Sequence, residues 1–356
     1  MALLYGMIIE KIEPIALATG TLSLVLCRVT TKSGLVGYGE CLCNRPPMQQ
    51  ALVATIRDAI APLYLGKSAA DRAGLNLAAR RRLASFGRAG TVTNALAAID
   101  IALWDIAGKA DNKSVSVLLG GAKRARLPVM ASLDKYDDRT KVRARLEQAL
   151  AGGVKAAKVH EAPLDIIEEA RRAVPKSMPF IADSNNAHSL ADIRRDEARW
   201  RALELMFFED PFWPPEDLLT MKKMPGVPIG MGADFGSTEQ MALYAKAPAI
   251  AVLQPDVCML GGLTEASRAV AMVEAAGKVP APHTPFVGPA ALASLHLLAA
   301  AKDDGYFAAI EPGEGRDMYG GLALASWRAS VDVPTGPGLG FDPDPAFLRA
   351  HDCAKN

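Results

Sequence analysis

From residue 156 of this 356-residue chain onward, seven short apolar runs each end on side chains able to do chemistry. Ala156-Ala-Lys158-Val-His160 is followed by Phe180-Ile-Ala-Asp183, Met206-Phe-Phe-Glu209 and Ile229-Gly-Met-Gly-Ala-Asp234. Then come Ile250-Ala-Val-Leu-Gln-Pro-Asp256, Val279-Pro-Ala-Pro-His283 and Phe307-Ala-Ala-Ile-Glu311. From Lys158 onward the polar ends are separated by 25, 26, 25, 22, 27 and 28 residues.

Asp183, Glu209 and Asp234 end three successive runs. Three carboxylates meeting at one point repel each other unless a cation lies between them, and an all-oxygen donor set suits a hard divalent ion, most simply Mg²⁺. A single such acid would be read as a cap for the following helix; three at this step favour the metal. Lys158 and His160 are two residues apart, so on a strand they face the same way, about 6.6 Å apart along the chain, and offer two bases. Asp256 and His283 close neighbouring runs. A carboxylate accepting from one imidazole nitrogen fixes the tautomer and raises the basicity of the other. A cation flanked by Lys158 and His160 on one side and a His283–Asp256 dyad on the other suits removal of a proton next to a carboxylate, with the cation stabilising the enediolate. The remaining histidines, His188, His296 and His351, read as helix-start, core and tail residues, and Cys258 as a small buried filler.

The repeating step has the length of one strand plus one helix. Pro128-Val-Met-Ala-Ser132 begins the series, and helices are expected at 139–151, 163–174, 189–202, 215–223, 237–246, 263–277 and 289–301. Eight strands with intervening helices argue for a β/α barrel, whose strand ends converge on one mouth, over an open doubly wound sheet, which concentrates its site at one switch point. Residues 7–41 read as β structure with a hairpin turning at Lys32-Ser-Gly34, followed by helices over 49–65, 69–82 and 93–109, the last packed on both sides. The expected organisation is an α+β domain over 1–125, a catalytic barrel over 126–320, and a C-terminal segment, 321–356, returning to the first domain.

Composition excludes several other classes. The formal charge is +1 with no basic cluster, so neither nucleic acid nor an anionic membrane is an expected partner. Five scattered cysteines (27, 41, 43, 258 and 353) form no zinc spacing and fit a reducing cytoplasm. No signal peptide is read at the start, and the longest apolar run, 290–301, is too short to span a bilayer.

These residues resemble the enolase superfamily, in its mandelate racemase/muconate-lactonizing branch. The likeness extends over nearly the whole chain through Gly37-Tyr-Gly-Glu40, the Ala98–Lys109 segment with its Asp-Ile-Ala-Leu-Trp-Asp core, Asp183-Ser-Asn185, Glu209-Asp-Pro211 and Gln254-Pro-Asp256 with Gly261-Gly262. It continues in Pro282-His-Thr-Pro-Phe-Val-Gly-Pro289 and Pro337-Gly-Leu-Gly340. Bases of the Lys or His type with Mg²⁺ on an enediolate are this superfamily's established chemistry. The resemblance implies an α/β fold: a modified TIM barrel of the (β/α)7β type with an N-terminal α+β capping domain covering the substrate. It implies metal ligation by Asp183, Glu209 and Asp234, support from Asn185, a His283–Asp256 dyad of the mandelate racemase kind, and contact of Glu311, or else Glu314, with the enolised oxygens. Two departures stand out. Lys158-Val-His160 replaces the usual Lys-x-Lys, and Ala233 precedes Asp234 where some relatives carry Glu. Phe235 is expected to make the mouth more apolar.

Dehydration of a sugar acid to a 2-keto-3-deoxy acid is the first expectation, with Lys158 or His160 as base and His283 as acid, or the reverse. Racemisation or epimerisation of a 2-hydroxy acid is the second, and lactone cycloisomerisation a further reading. A metal-binding relative without turnover is the third class. Thr19, Thr21 and Arg45 on capping-domain loops are the expected substrate contacts, and a homo-oligomer in the cytoplasm is the expected form.

Overall fold

The computed structural model describes residues 7–20, 22–43, 46–221, 227–302, 305–313, 317–322 and 324–353. Three antiparallel strands open the chain: β1 (Ile9–Thr19), β2 (Leu22–Thr31) and β3 (Val36–Cys41). The hairpin read from the sequence is β2–β3, in register from Val25 opposite Cys41 to Thr30 opposite Val36, and β1 extends it to a meander. Alternate residues of β2 feed two cores, because side chains on a strand point to opposite faces. Leu24 and Leu26 join the barrel core, while Val25, Cys27 and Val29 join a second core within the first domain. The helix Thr91–Asp111 is shared in the same way: Ala97, Ile101 and Trp104 face one core and Ile99, Leu103 and Ile106 the other.

The Gly37-Tyr-Gly-Glu40 segment has a packing explanation. A Cβ on Gly39 would lie 1.9 Å from the carbonyl oxygen of Ala98, so only glycine lets β3 lie against the long helix. Glu40 then reaches out of its sheet and accepts from the Ala290 amide at 2.9 Å, at the start of the helix Pro289–Ala300. Burial pushes the Glu40 carboxyl up to about 8, against the pull of the Ala290 and Gly288 amides. A carboxyl raised in the folded state binds a proton that the unfolded chain has already lost, so stability falls as pH rises from the ordinary carboxyl range to the raised value. Glu40→Gln keeps an acceptor for Ala290 and does not titrate. Relative to this variant, the wild type is expected to lose about 3 kcal/mol between pH 5 and pH 8, read by urea unfolding at the two pH values.

The second sheet holds eight parallel strands: β4 (Arg126–Ser132), β5 (Ala156–Val159), β6 (Phe180–Asp183), β7 (Phe207–Glu209), β8 (Ile229–Met231), β9 (Ile250–Leu253), β10 (Val279–Pro280) and β11 (Phe307–Ala309). They are neighbours in sequence order, and β11 returns to pair with β4. Each of the seven connections carries helix, and among the described residues no helix lies between β11 and the next strand, which makes the architecture (β/α)7β. The helical pattern over 189–202 is broken at Asp196 into Leu190–Arg195 and Glu197–Ala202, the first opened by a Ser189/Asp192 capping box. The gap between β10 and β11 is bridged by one side chain: the Thr284 hydroxyl accepts from the Ala308 amide and donates to the Ala308 carbonyl, both at 3.0 Å.

Met130, Ala156, Ile181, Phe207, Val252 and Ala308 form the innermost layer of the barrel. Two residues further along each strand, alternation sets the next layer toward the C-terminal mouth, and this layer contains Lys158, Asp183, Glu209 and Gln254. The chain end crosses back over the first domain. After β12 (Ser330–Asp332), which pairs antiparallel with the start of β4, the Gly338 amide donates to Lys113, the Leu339 amide to Asp105, and the Cys353 amide to Ala16. Among the described residues, no helix is long and apolar enough to cross a membrane.

Candidate active site

Strands β5, β6 and β7 are consecutive in the sheet, and Asp183 lies in direct register with Glu209. Lys158, 2% exposed, places its Nζ 2.8 Å from Glu209 Oε1 and 3.5 Å from Asp183 Oδ2. Burial alone would push the ammonium down; Glu209 and then Asp183 more than offset it, and the group is held above the usual lysine range. Burial works in the opposite sense on Asp183, yet Lys158 and then His160 hold its carboxyl well below the usual range. The Asn185 amide also donates to Asp183 Oδ1 at 2.9 Å. Asn185 thus supports the carboxylate through its backbone, with its side chain exposed and its φ at +48°.

His160 sits between two acceptors. Its Nδ1 meets the Leu133 carbonyl, and its Nε2 lies 3.2 Å from Asp183 Oδ2. An imidazole facing acceptors on both nitrogens is held as the imidazolium, which has no lone pair left for a proton. Burial and Lys158 act against this, but Asp183 outweighs them and the His160 pKa is raised. Both bases read from the sequence, Lys158 and His160, are thus held in their protonated forms by the carboxylates beside them.

The carboxylate group differs from the one read from the sequence. Asp183, Glu209 and Asp210 each offer an oxygen within 4.8 Å of the others, and Asp234 is not part of this cluster. Strict alternation would turn Asp210 away from Glu209, but its φ is +40°, in the left-handed region, so two successive side chains serve the same mouth. Burial, then Glu209, Asp183 and Asp234, hold the Asp210 carboxyl well above its ordinary value. The alternation that pointed Asp234 inward ends earlier: β8 stops at Met231, and Gly232 follows with φ +109°. Asp234 is therefore exposed beyond the strand end, its carboxyl raised by partial burial and affected by His283, Asp256 and Asp183. Phe235 does not make the mouth apolar; it is buried in the outer core with its ring 4.6 Å from that of Tyr244.

Across the barrel, His283 Nδ1 is 2.8 Å from Asp256 Oδ2. Asp256 is fully buried and its other oxygen accepts from the Cys258 and Met259 amides at 2.7 and 2.9 Å. The carboxylate is thus fixed before it meets the imidazole, and the Nδ1–H tautomer leaves His283 Nε2 for a reactant. His283, Lys158 and Gln254 line one cavity within the barrel. Cys258 is the buried filler expected, donating its thiol to the Glu40 carbonyl. His296 is a neutral core residue, its pKa pushed down to about 4 by burial.

Glu311 does not join the carboxylate cluster. It accepts from the Tyr136 hydroxyl and pairs with Arg145 at 2.8 Å, partners contributed by the loop and helix after β4. A strand-end position alone could not reveal these tertiary partners. Thr19 is buried at the end of β1, with its hydroxyl unpaired among the described residues. Thr21, Arg45 and Glu314 lie outside the described residues.

A hard cation fits this donor set. Glu209 Oε2 is buried without a hydrogen-bond partner among the described residues, beside two further carboxylates. An unpartnered buried carboxylate oxygen is costly unless a cation or donor meets it.

Comparison with known proteins agrees with the architecture. Residues 7–120 match the mandelate racemase/muconate lactonizing enzyme N-terminal domain, and residues 141–347 match the enolase C-terminal domain-like family. The D-galactarolactone cycloisomerase of Agrobacterium fabrum is 27% identical over 338 residues, covering 89% of this chain and 88% of the relative. The arabinonate dehydratase of Saccharolobus solfataricus is 25% identical over 350 residues, covering 95% and 92%. A mandelate racemase/muconate lactonizing protein from Paracoccus denitrificans, solved in complex with magnesium, superposes with a TM-score of 0.88 at 24% identity, covering 97% of this chain and 98% of that one. The chain belongs to the mandelate racemase/muconate lactonizing enzyme family of the enolase superfamily, and is an enzyme of its lyase or isomerase kind.

Proposed function

We propose that this enzyme removes the proton α to the carboxylate of a small sugar acid and expels the β-hydroxyl as water, giving a 2-keto-3-deoxy acid. The observation that carries this reading is the placement of Lys158 beside Asp183 and Glu209, with His283, paired to the buried Asp256, lining the same cavity as Lys158. A base and an acid on separate sides of one cavity suit a reaction that takes a proton from one carbon and returns one to the oxygen on the next.

Asp183 and Glu209, with a third carboxylate nearby, would hold the cation, most simply Mg²⁺. When bound, such an ion supplies positive charge to the enediolate oxygens and offsets the carboxylates that keep Lys158 protonated. Lys158 Nζ, once neutral, takes the α-proton. His160, held as an imidazolium, adds positive charge near the developing enediolate. His283 gives the proton on Nε2 to the departing hydroxyl, while Asp256 holds Nδ1–H and stabilises the imidazolium that must precede this step. Electrons from the C–H bond form the enol, the C–O bond breaks to release water, and tautomerisation yields the ketone. The names of the Agrobacterium and Saccharolobus relatives, a sugar-lactone cycloisomerase and a sugar-acid dehydratase, support the substrate class.

The test is a library of aldonates and aldarates incubated with enzyme and Mg²⁺ in D₂O and followed by NMR. At least one member is expected to give a 2-keto-3-deoxy product. Exchange at C2 with inverted configuration and no loss of water would replace dehydration by epimerisation. Absence of both exchange and product across the library would overturn the reading.

A further inference from the structure

We infer that a cavity of about 350 Å³ between the first domain and the barrel binds a compact dianion, either free phosphate or the phosphate group of a small metabolite. Three arginines line it, Arg80, Arg81 and Arg88, together with Thr93, Ser237 and Glu239. No extended basic stretch marks the sequence, yet the fold gathers these charges from the helix Arg72–Arg82 and from the approach to the helix Thr91–Asp111. Ser237 and Glu239 come from the start of the helix after β8, Thr238–Ala245. The cavity shares no lining residue with the one inside the barrel that holds Lys158 and His283.

Charge is the first reason. Exposed arginines of the barrel helices commonly pair with acids, as Arg143 does with Glu169, Arg195 with Asp196 and Arg201 with Glu197. Arg81 and Arg88 are exposed and enter no ion pair among the described residues. With Arg80 and the acid Glu239, the lining carries a charge of +2, which a dianion balances. Unused donors are the second reason. Thr93 is 2% exposed and lines the cavity, and its hydroxyl makes no hydrogen bond among the described residues. A polar group withdrawn from water to this degree normally has a partner. The 21-residue helix that begins beside it has Gly90 as its N-cap and no side-chain cap. Its first internal bond runs from the Asn94 amide to the Gly90 carbonyl at 2.9 Å. The amides of Thr91, Val92 and Thr93 therefore have no acceptor within the helix, and its dipole favours negative charge there.

Packing across the domain junction sets the arginine positions in advance. Arg80 Nε donates to Asn76 Oδ1 at 2.9 Å and its Nη2 to the Leu260 carbonyl, which leaves Nη1 unpartnered among the described residues. Arg88 is carried by a loop seated on Gly236, where a Cβ would lie 2.2 Å from the Ala89 Cβ. Guanidinium groups held in place match the oxygens of a phosphate as paired donors. The same wall continues into the turn after Asp256. The Leu260 amide donates to the Asp256 carbonyl at 3.1 Å, and Asn76 Nδ2 donates to the Gly261 carbonyl at 2.8 Å. A phosphate held here touches both domains, beside the turn that follows the partner of His283.

Isothermal titration calorimetry of the full-length protein with inorganic phosphate and with glucose 6-phosphate tests the assignment. Ionic strength is held fixed, and divalent cations are left out so that no ion at the barrel mouth recruits the probe. The variants are Arg81→Gln, Arg88→Gln and Thr93→Val. Arg82→Gln is the control, because Arg82 is exposed on the same helix and does not line the cavity. Thermal melting without phosphate checks that each variant is folded. The expected result is saturable binding by the wild type, weakened about 10-fold or more in Arg81→Gln and in Arg88→Gln, about 3-fold or more in Thr93→Val, and within about 2-fold of wild type in Arg82→Gln. Equal affinity for the two probes would make free phosphate a sufficient ligand, and a preference for the ester would make the ligand a phosphorylated metabolite. No saturable binding of either probe, unchanged binding in Arg81→Gln and Arg88→Gln, or an equal loss in Arg82→Gln would overturn the assignment.

Discussion

Lys158→Ala is expected to slow α-proton exchange in D₂O by a factor of about 10² to 10⁴, the usual contribution of a positioned general base. The substrate for this measurement is whichever sugar acid the wild type exchanges. Two features of the site make the effect large. In the proposed reading His160, whose nitrogens both face acceptors, the Leu133 carbonyl and Asp183, stays protonated and does not take over. His283 lies on the far side of the barrel sheet, paired to Asp256. The same substitution has a second readout. It leaves Glu209 and Asp183 buried without their ammonium partner, and breaking a buried pair in this way costs about 3–5 kcal/mol. The variant is therefore expected to unfold at lower urea than wild type in EDTA and to recover part of the difference when Mg²⁺ is added. Loss of exchange with unchanged stability in EDTA would show that Lys158 does not neutralise the cluster. Retained exchange would show that it is not the base.

Asp183→Asn is expected to abolish the stabilisation that Mg²⁺ confers on the wild type. At 100 times Kd a bound ligand adds about 2.7 kcal/mol, which a thermal melt resolves as a shift of a few degrees. Asp183 is the residue on which the site converges: it pairs with Lys158 and His160 and accepts the Asn185 amide. Its removal also changes the acid limb of stability. A carboxyl whose folded value is depressed stabilises the protein above its ordinary pKa and loses that contribution as pH falls through the depressed value. The wild type should therefore lose stability steadily below about pH 4, with a shallower loss in Asp183→Asn, measured as melting temperature against pH. Equal slopes in the two proteins would mean that the Lys158 and His160 contacts contribute nothing in solution.

Much of the site was legible because it depends on local pattern. An apolar run of three to five residues sets a strand, alternation decides which residue at its end faces the mouth, and the interval to the next run sets the barrel. Lys158, Asp183 and Glu209 follow from these rules, as do Asp256 and His283 on adjoining segments. Asp210, Asp234 and Phe235 do not, because single backbone angles after the strand ends decide them: +40° at Asp210 and +109° at Gly232. Gly232 marks a possible break, but glycine permits many conformations and does not state which one is adopted. Glu311 escaped for another reason. Its partners, Tyr136 and Arg145, lie about 170 residues earlier in the chain, and no local pattern encodes that pairing. The family motifs of the first domain, by contrast, were visible as strings without a visible purpose. Glu40 on Ala290, Asp100 on Thr264 and Asp105 on Leu339 show that they tie that domain to the barrel and to the returning tail.

Among the described residues no backbone ladder joins β10 to β11 and the Thr284 hydroxyl spans the gap, so the barrel is mechanically a curled strip with two ends and not a continuous hoop. Lys158 and the carboxylates occupy adjoining strands in the unbroken part of that strip, where backbone ladders fix their mutual distances. His283 follows the terminal strand, beside the junction. The spacing between the proposed base and the proposed acid is thus the one dimension of the site that the fold can retune without disturbing the groups proposed to hold the ion, and it is the dimension along which a carbon acid and its leaving group differ from one substrate to the next.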